Sequence, residues 1–550
     1  MSATVAAAVG RTLVALGVEQ VVGVVGSGNF HVTNAMIDAG ARFVAARHEG
    51  GAASIADGYA RLHDTVPVLS LHQGVGLTNA MTGITEAAKS RTPMVVLAAE
   101  TAAAATTSNF RIDQPAMATA VGATALRVTG ASTAVAQTAH AYRRAVHERR
   151  TIVLNLPLDV QAEPVDLGDL PIPPTTTPTP PAPSSDAVES LAELFAQSER
   201  PVVIAGRGAR DAGDALRRLG RHAGALLATS AVAKGLFRGD DWDLDISGGF
   251  ATPLAAELIG AADLVVGFGC ALNMWTTGHG RLLHPDAVLA QVDVEVAALG
   301  AHRPISLGVV GDASLTATAV ADALAARGTA GADRYRRPDV AQRLDSRRRW
   351  RDEPYDDWGG DGRIDPRTLT IALDDLLPSD RVVAVDSGNF MGYPSMFLDV
   401  PDEDGFCFTQ AFQSIGLGLA SGIGAALAQP HRLPVVAVGD GGLLMAASEL
   451  DTVARLGLPM VVVVYDDGGY GAEVHHFGDA ARLDTVRFPP TDHAAIARGH
   501  GYEAVTVRDV DDLAPVADWV TGARDRPLLI DAKVAGPRGA WWLEEAFRGH

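Results

Sequence analysis

Short apolar runs alternate with alanine-rich stretches along most of the chain. Residues 21–25, 42–46, 66–71, 93–99 and 151–156 are nearly continuous in Val, Ile, Leu, Ala and Met, and lack the two-residue alternation of a half-solvated strand. Such runs predict strands covered on both faces, as in parallel sheets, and the segments between them carry helical periodicity. A second block repeats the pattern with runs at 201–206, 264–269 and 287–293, and a third at 382–386, 435–439, 460–465 and 527–534. The expected fold is therefore α/β, with three doubly wound parallel-sheet domains in series over 1–165, 186–328 and 366–550. Residues 171–184 are half proline and predict an extended linker, while the charged stretch 333–362 predicts a partly helical surface connection.

Composition narrows the class. A chain of 550 residues exceeds one core. Its net charge of −20 excludes nucleic acid and anionic membrane surfaces as expected partners, since both would repel it. Cys270 and Cys407 make no disulfide framework. The N-terminal stretch is broken by Arg11 and Glu19 at helical spacing, and no run of about 18 uncharged apolar residues follows elsewhere. A cytoplasmic enzyme without a membrane span is expected.

The chemistry concentrates at two strand ends. The run 435–439 closes on Gly439-Asp440-Gly441-Gly442, and the run 460–465 closes on Asp466-Asp467-Gly468-Gly469-Tyr470. Between them, Leu450, Val453, Ala454 and Gly457 share one face of a helix. In one β-α-β unit both acids emerge at the carboxyl ends of parallel strands, where open α/β sheets bind ligands. Asp440, Asp467 and the Gly469 carbonyl can supply three oxygens to a hard divalent cation, and a diphosphate and water can complete its shell. The glycines let a diphosphate come close to the backbone.

Taken together, this pattern resembles the signature of the thiamine diphosphate enzymes, here with Asp467 where that family usually has asparagine. The resemblance extends to Arg47-His48-Glu49, to the segment 72–100 and to Ser414-Ile415-Gly416. It covers essentially the whole chain and points to the acetolactate synthase, benzoylformate decarboxylase and benzaldehyde lyase superfamily. It implies thiamine diphosphate and Mg2+ as cofactors, with a pyrimidine-binding, a central and a diphosphate-binding domain in that order. Glu49 is then the carboxyl group that exchanges a proton with the aminopyrimidine, and Ile415 the wedge that bends the cofactor. Gly26, Ser27, Asn79 and Asn389 join the glycines and Tyr470 as expected cofactor contacts. The two halves of a site come from different subunits in that family, which implies a homodimer or homotetramer.

Substrate-side candidates rest on the same resemblance. His72 matches an active-site histidine of benzoylformate decarboxylase, Gln114 a glutamine of benzaldehyde lyase and acetolactate synthase, and Glu473 a glutamate of pyruvate decarboxylase. The turn 206–210 lacks the spaced glycines of a dinucleotide fingerprint, so no flavin is expected. The expected reaction is decarboxylation of a small 2-oxo acid with carboligation to a second carbonyl compound. Simple decarboxylation, cleavage of acyloins or 2-hydroxyacyl compounds, and a non-catalytic cofactor-binding role remain open alternatives.

Overall fold

The computed structural model describes residues 3–166, 171–174, 179–328, 334–478, 482–536 and 539–544. Parts of the expected linker and the start of the charged connection lie outside these residues, as do three pieces of the last expected domain. Strands are numbered in chain order. β1 (Ala3–Thr4) pairs antiparallel with β8 (Pro164–Val165), so the two ends of the first segment are tied together.

The first sheet contains β2 (Gln20–Gly23), β3 (Arg42–Ala45), β4 (Val68–Leu71), β5 (Met94–Glu100), β6 (Thr124–Arg127) and β7 (Thr151–Pro157) in the order β3-β2-β4-β5-β7-β6. The second contains β9 (Pro201–Ala205), β10 (Leu226–Thr229), β11 (Asp243–Ile246), β12 (Leu264–Phe268), β13 (Val288–Asp293) and β14 (Leu307–Val310), ordered β11-β10-β9-β12-β13-β14. The third contains β15 (Arg381–Val385), β16 (Phe406–Phe408), β17 (Leu433–Gly439), β18 (Val461–Asp466), β19 (Glu503–Val507) and β20 (Leu528–Lys533), ordered β16-β15-β17-β18-β20-β19. Every pairing within these three sheets is parallel. The outer two sheets share one connectivity, and the middle sheet has the order of the dinucleotide-binding fold.

Apolar runs mark the interior strands well, because those strands are covered on both faces. Six strands of the three large sheets escape that reading: β6, β10, β11, β14, β16 and β19. All but β10 are sheet edges, and in β6, β11, β14 and β19 the apolar run breaks up, whereas β16 is apolar but only three residues long. The charged connection forms a helix over Pro338–Arg347, and Arg367 from the third segment stacks on its Trp358, 3.9 Å from the ring centre.

The outer domains share one continuous apolar cluster, from Val22 through Ile423 to Leu529. Its centre is the crossing of helices Glu49–Leu62 and Gly418–Ala428. Glycines face each other there. A Cβ on Gly58 would overlap the Ser421 carbonyl, and one on Gly424 would overlap the Ile55 carbonyl and lie 2.6 Å from the Tyr59 nitrogen. Beside the crossing, buried Arg61 is paired with Asp57 and Glu86 and donates to the Phe408 carbonyl. Glu86 in turn accepts from the Ala411 and Phe412 amides. The first domain thereby holds the loop that leads to Ile415.

Replacing a helix-interior glycine with alanine ordinarily gains about 1 kcal/mol. At Gly424 the sign should reverse, with overpacking costing about 1–3 kcal/mol. Gly424→Ala should lower the melting temperature in differential scanning fluorimetry, and an equal or higher value would contradict so close a crossing.

Candidate active site

One cleft opens at the carboxyl edge of the third sheet, where the strand order reverses between β15 and β17. Asp440, Asp467, Gly469 and Tyr470 line it, together with Ile415, Asn389 and Glu473. Asp440 opens a short helix, Asp440–Met445, at the end of β17, and the helix Glu449–Leu456 follows. Gly441 lies under the Tyr470 ring, whose edge would sit 2.6 Å from an added Cβ. Gly471 clears space for the Asp467 carboxylate, and Asn389 donates to that carboxylate.

The acids of this cleft crowd each other. Burial, then the like charges of Asp467 and Asp466, push the Asp440 carboxyl up to about 7. Burial pushes Asp467 up to about 6, against the Asn389 hydrogen bond. Asp440, Asp466 and His493 also lie close enough to share an ion, with ligand atoms within 4.8 Å of one another. Asp466, however, is paired with Lys533 and accepts from the Gly468 amide at 3.0 Å, and it does not line the cleft. Asp440 and Asp467 face the open space without a cationic side chain among its described lining residues. This donor set suits a hard divalent cation, and Gly469 lines the same cleft.

Ile415 stands between two left-handed residues, Gln413 (φ 63°) and Gly416 (φ 85°). Asp386, fully buried at the end of β15, anchors this turn by accepting from the Gly416 amide at 2.9 Å and the Leu417 amide at 3.2 Å. Burial raises its carboxyl to about 6.

A second constellation gathers at the carboxyl edge of the first sheet. Glu49 begins its helix, is buried, and accepts from Asn79 Nδ2 at 3.0 Å. His72 follows β4, and its Nδ1 accepts from the Gly28 amide at 3.1 Å. That bond leaves the ring proton on Nε2 in the neutral form. Burial lowers the imidazole pKa, opposed by the charge of Glu49. Gly26 and Gly28 let the imidazole lie against their turn, and Ser27 is exposed there. Gln114 is placed differently from the expected substrate contact. It is 1% exposed, its Oε1 accepts from the Gly74 amide, and its Nε2 donates to the Ala99 carbonyl and to Asn155. Its hydrogen-bonding groups are used inside the domain, where they brace the turn after His72.

No residue of the first domain is among those lining the Asp440 cleft. Within one chain the two constellations belong to different domains. They are nevertheless tied mechanically by Glu449, which is 1% exposed and accepts from the Arg47 and His48 amides at 3.1 and 3.0 Å. Glu449, Asp386 and Lys533 had no signal in the sequence, because each acts through partners brought together only by the fold.

Models of thiamine pyrophosphate enzymes match three stretches of the chain: the N-terminal binding domain at residues 3–125, the central domain at 188–320 and the C-terminal binding domain at 386–532. The chain belongs to the thiamine pyrophosphate enzyme family. This thiamine pyrophosphate enzyme is 27% identical to the sulfoacetaldehyde acetyltransferase of Castellaniella defragrans, over 92% of this chain and 88% of that protein. It is 27% identical to the catabolic acetolactate synthase of Raoultella terrigena, over 94% and 95% respectively. A protein of Pseudomonas aeruginosa named as a probable 2-ketoarginine decarboxylase is 28% identical over 92% and 89%. The chain is thus an enzyme that uses thiamine diphosphate, the same compound as thiamine pyrophosphate, in a superfamily of 2-oxo acid decarboxylases and acyltransferases. Among the described residues no helix is long and apolar enough to cross a membrane.

Ionising Asp440 and Asp467 costs the folded protein, so their contribution to stability is lost as pH rises through about 6 to 7. A bound divalent cation should offset that cost. Adding Mg2+ should raise the melting temperature more at pH 8 than at pH 5.5, by about 2 °C or more. Asp440→Asn should abolish most of the difference. An equal or larger rise at pH 5.5 would remove these carboxylates from the cation site.

Proposed function

We propose that the enzyme decarboxylates a 2-oxo acid and transfers the resulting acyl unit to a second carbonyl compound, with Mg2+ anchoring the diphosphate of thiamine diphosphate. The observation that carries this reading is the pair of complementary half-sites on different domains, one with Glu49 and one with Asp440 and Asp467, of which only the second lines the cleft. Two chains in a homodimer would bring the Glu49 half of one against the Asp440 half of the other, and a homotetramer would repeat that pairing.

Each residue then has a defined task. Asp440, Asp467 and the Gly469 carbonyl hold the cation, while Gly439, Gly441 and Gly442 carry the backbone that the phosphate oxygens approach. Ile415 sets the angle between the two cofactor rings, with its backbone pinned by Asp386. Glu49, oriented by Asn79, holds or moves the proton at the aminopyrimidine. When bound, the cofactor supplies the electron sink that lets carbon dioxide leave. His72 offers its Nε2–H as a donor, and Glu473 offers a half-buried carboxyl group from the opposite half. Gln114 acts as a positioning residue behind the His72 turn.

Simple decarboxylation is the second reading, favoured by the neutral His72 beside Glu49. Carbon dioxide release and product analysis on several 2-oxo acids, each with and without an aldehyde acceptor, separate the two. Ligated product supports transfer, whereas free aldehyde alone supports simple decarboxylation.

Two variants test the machinery. Glu49→Gln should bind cofactor within about tenfold of wild type, while turnover falls by about a hundredfold or more. Mixing inactive Glu49→Gln with inactive Asp440→Asn chains, then refolding or co-expressing them, should restore activity through sites that contain neither change. A mixture as inactive as its parts would refute the shared site.

A further inference from the structure

A second cavity of about 310 Å3 borders the cofactor cleft and is walled by all three domains. Ser387, Gln413 and Leu543 line both spaces. The cavity meets the middle sheet at the ends of β9 and β12, where that sheet's strand order reverses and an open α/β sheet offers its ligand crevice. The glycines of the turn after β9 do not frame it as a phosphate cradle. A Cβ on Gly206 or Gly269 would overlap the backbone of the facing turn, and the Gly208 amide donates to the Gly269 carbonyl. These glycines close one turn against the other.

The wall is unusual in charge. Arg61, Lys89 and Arg207 contribute to it, and none of its described lining residues is an aspartate or glutamate, although the chain carries a net −20. Arg61 is neutralised by Asp57 and Glu86. Arg207 donates to the Ser90 carbonyl at 2.7 Å and has no carboxylate within ion-pair distance among the described residues. Burial, then the neighbouring charge of Arg61, lowers its pKa to about 9. A half-buried cation without an ion-pair partner is costly to keep, and a bound anion would relieve it.

The wall also holds unused hydrogen-bonding groups. Ser230 Oγ, Gln410 Nε2 and Trp542 Nε1 are buried without a partner. Ser230 is 7% exposed and Trp542 is 2% exposed. All three groups can donate to an oxygen acceptor. Aromatic rings of Phe250, Phe408 and Trp275 form apolar parts of the same wall. Trp542 lies beyond the span matched by the family's C-terminal model.

We propose that this three-domain chamber binds the anionic end of a carbonyl substrate, a carboxylate or sulfonate remote from the reacting carbonyl. Arg207 supplies the counter-charge, and Ser230, Gln410 and Trp542 supply hydrogen bonds. The proposal rests on the reading of the adjoining cleft as the reaction site. The volume is at the small end for ligand pockets, which suits a compact acid. A substrate ending in a cation would meet Arg207 with like charge.

The test pairs turnover with binding. On the holoenzyme, 2-oxoglutarate, 2-oxoglutaramate and 2-oxo-5-guanidinopentanoate present an anionic, neutral and cationic end, and the corresponding aldehydes serve as acceptors. The anionic member should exceed the neutral one at least tenfold in kcat/KM, with the cationic member lowest. Calorimetric titration with unreactive glutarate, propane-1,3-disulfonate and 4-guanidinobutyrate reads the chamber without any reaction, and the first two distinguish carboxylate from sulfonate. Arg207→Gln should weaken binding of the preferred dianion at least tenfold. Trp542→Phe and Ser230→Ala should weaken it several-fold, and they keep the test alive if the arginine variant does not fold. Equal dianion affinity in wild type and folded variants, or tighter binding of 4-guanidinobutyrate, overturns the proposal. Arg207-dependent dianion binding without turnover of any 2-oxo acid keeps the chamber and rejects the reaction assigned to the cleft.

Discussion

Two carboxylates held side by side in a poorly solvated cleft are the constraint on which the active site depends. Asp440 and Asp467 cannot both ionise there at low cost, because burial desolvates both, Arg363 offsets Asp467 only in part, and no cationic side chain is among the described residues lining the cleft. The neighbouring Asp466 illustrates the contrast. It has Lys533 as a partner and is removed from the cleft. One of the two adjacent aspartates is thus neutralised by the protein, and the other is left for a ligand. Parallel strands make this arrangement possible, since β17 and β18 end on the same edge and deliver both acids to one place.

The same economy governs the rest of the site. Glycines occur where another group must occupy the space of a side chain: Tyr470 over Gly441, the Asp467 carboxylate beside Gly471, and His72 against Gly26. Buried acids do the holding. Asp386 fixes the Ile415 turn, Glu86 the loop before it, and Glu449 the backbone just before Glu49. None of these three contacts the open cleft as a reacting group, yet each sets the position of one that does.

What was legible in the chain follows from range. Glu49, Asp440 and Asp467 sit in compact motifs whose spacing is visible within a few turns of helix or one β-α-β unit. Interior strands were legible because burial on both faces leaves continuous apolar runs, whereas edge strands such as β6 and β19 carry mixed patterns. Glu449 could not be read, because its partners at Arg47 and His48 are some 400 residues away. Gln114 was visible as a residue but not as a brace, since its neighbours Gly74, Ala99 and Asn155 converge only through the sheet. The chamber beside Arg207 draws on three domains, and no local pattern announces such a meeting.

The Glu449 contact has a wider meaning for how this protein tolerates change. The turn bearing Glu49 takes its pose from a helix of the opposite domain, so it cannot adjust on its own. Drift in residues 446–452 would be felt across the domain boundary, in the chemistry of a site whose cleft those residues do not line. Grafting either outer domain onto a foreign partner would therefore have to carry that lock along with it.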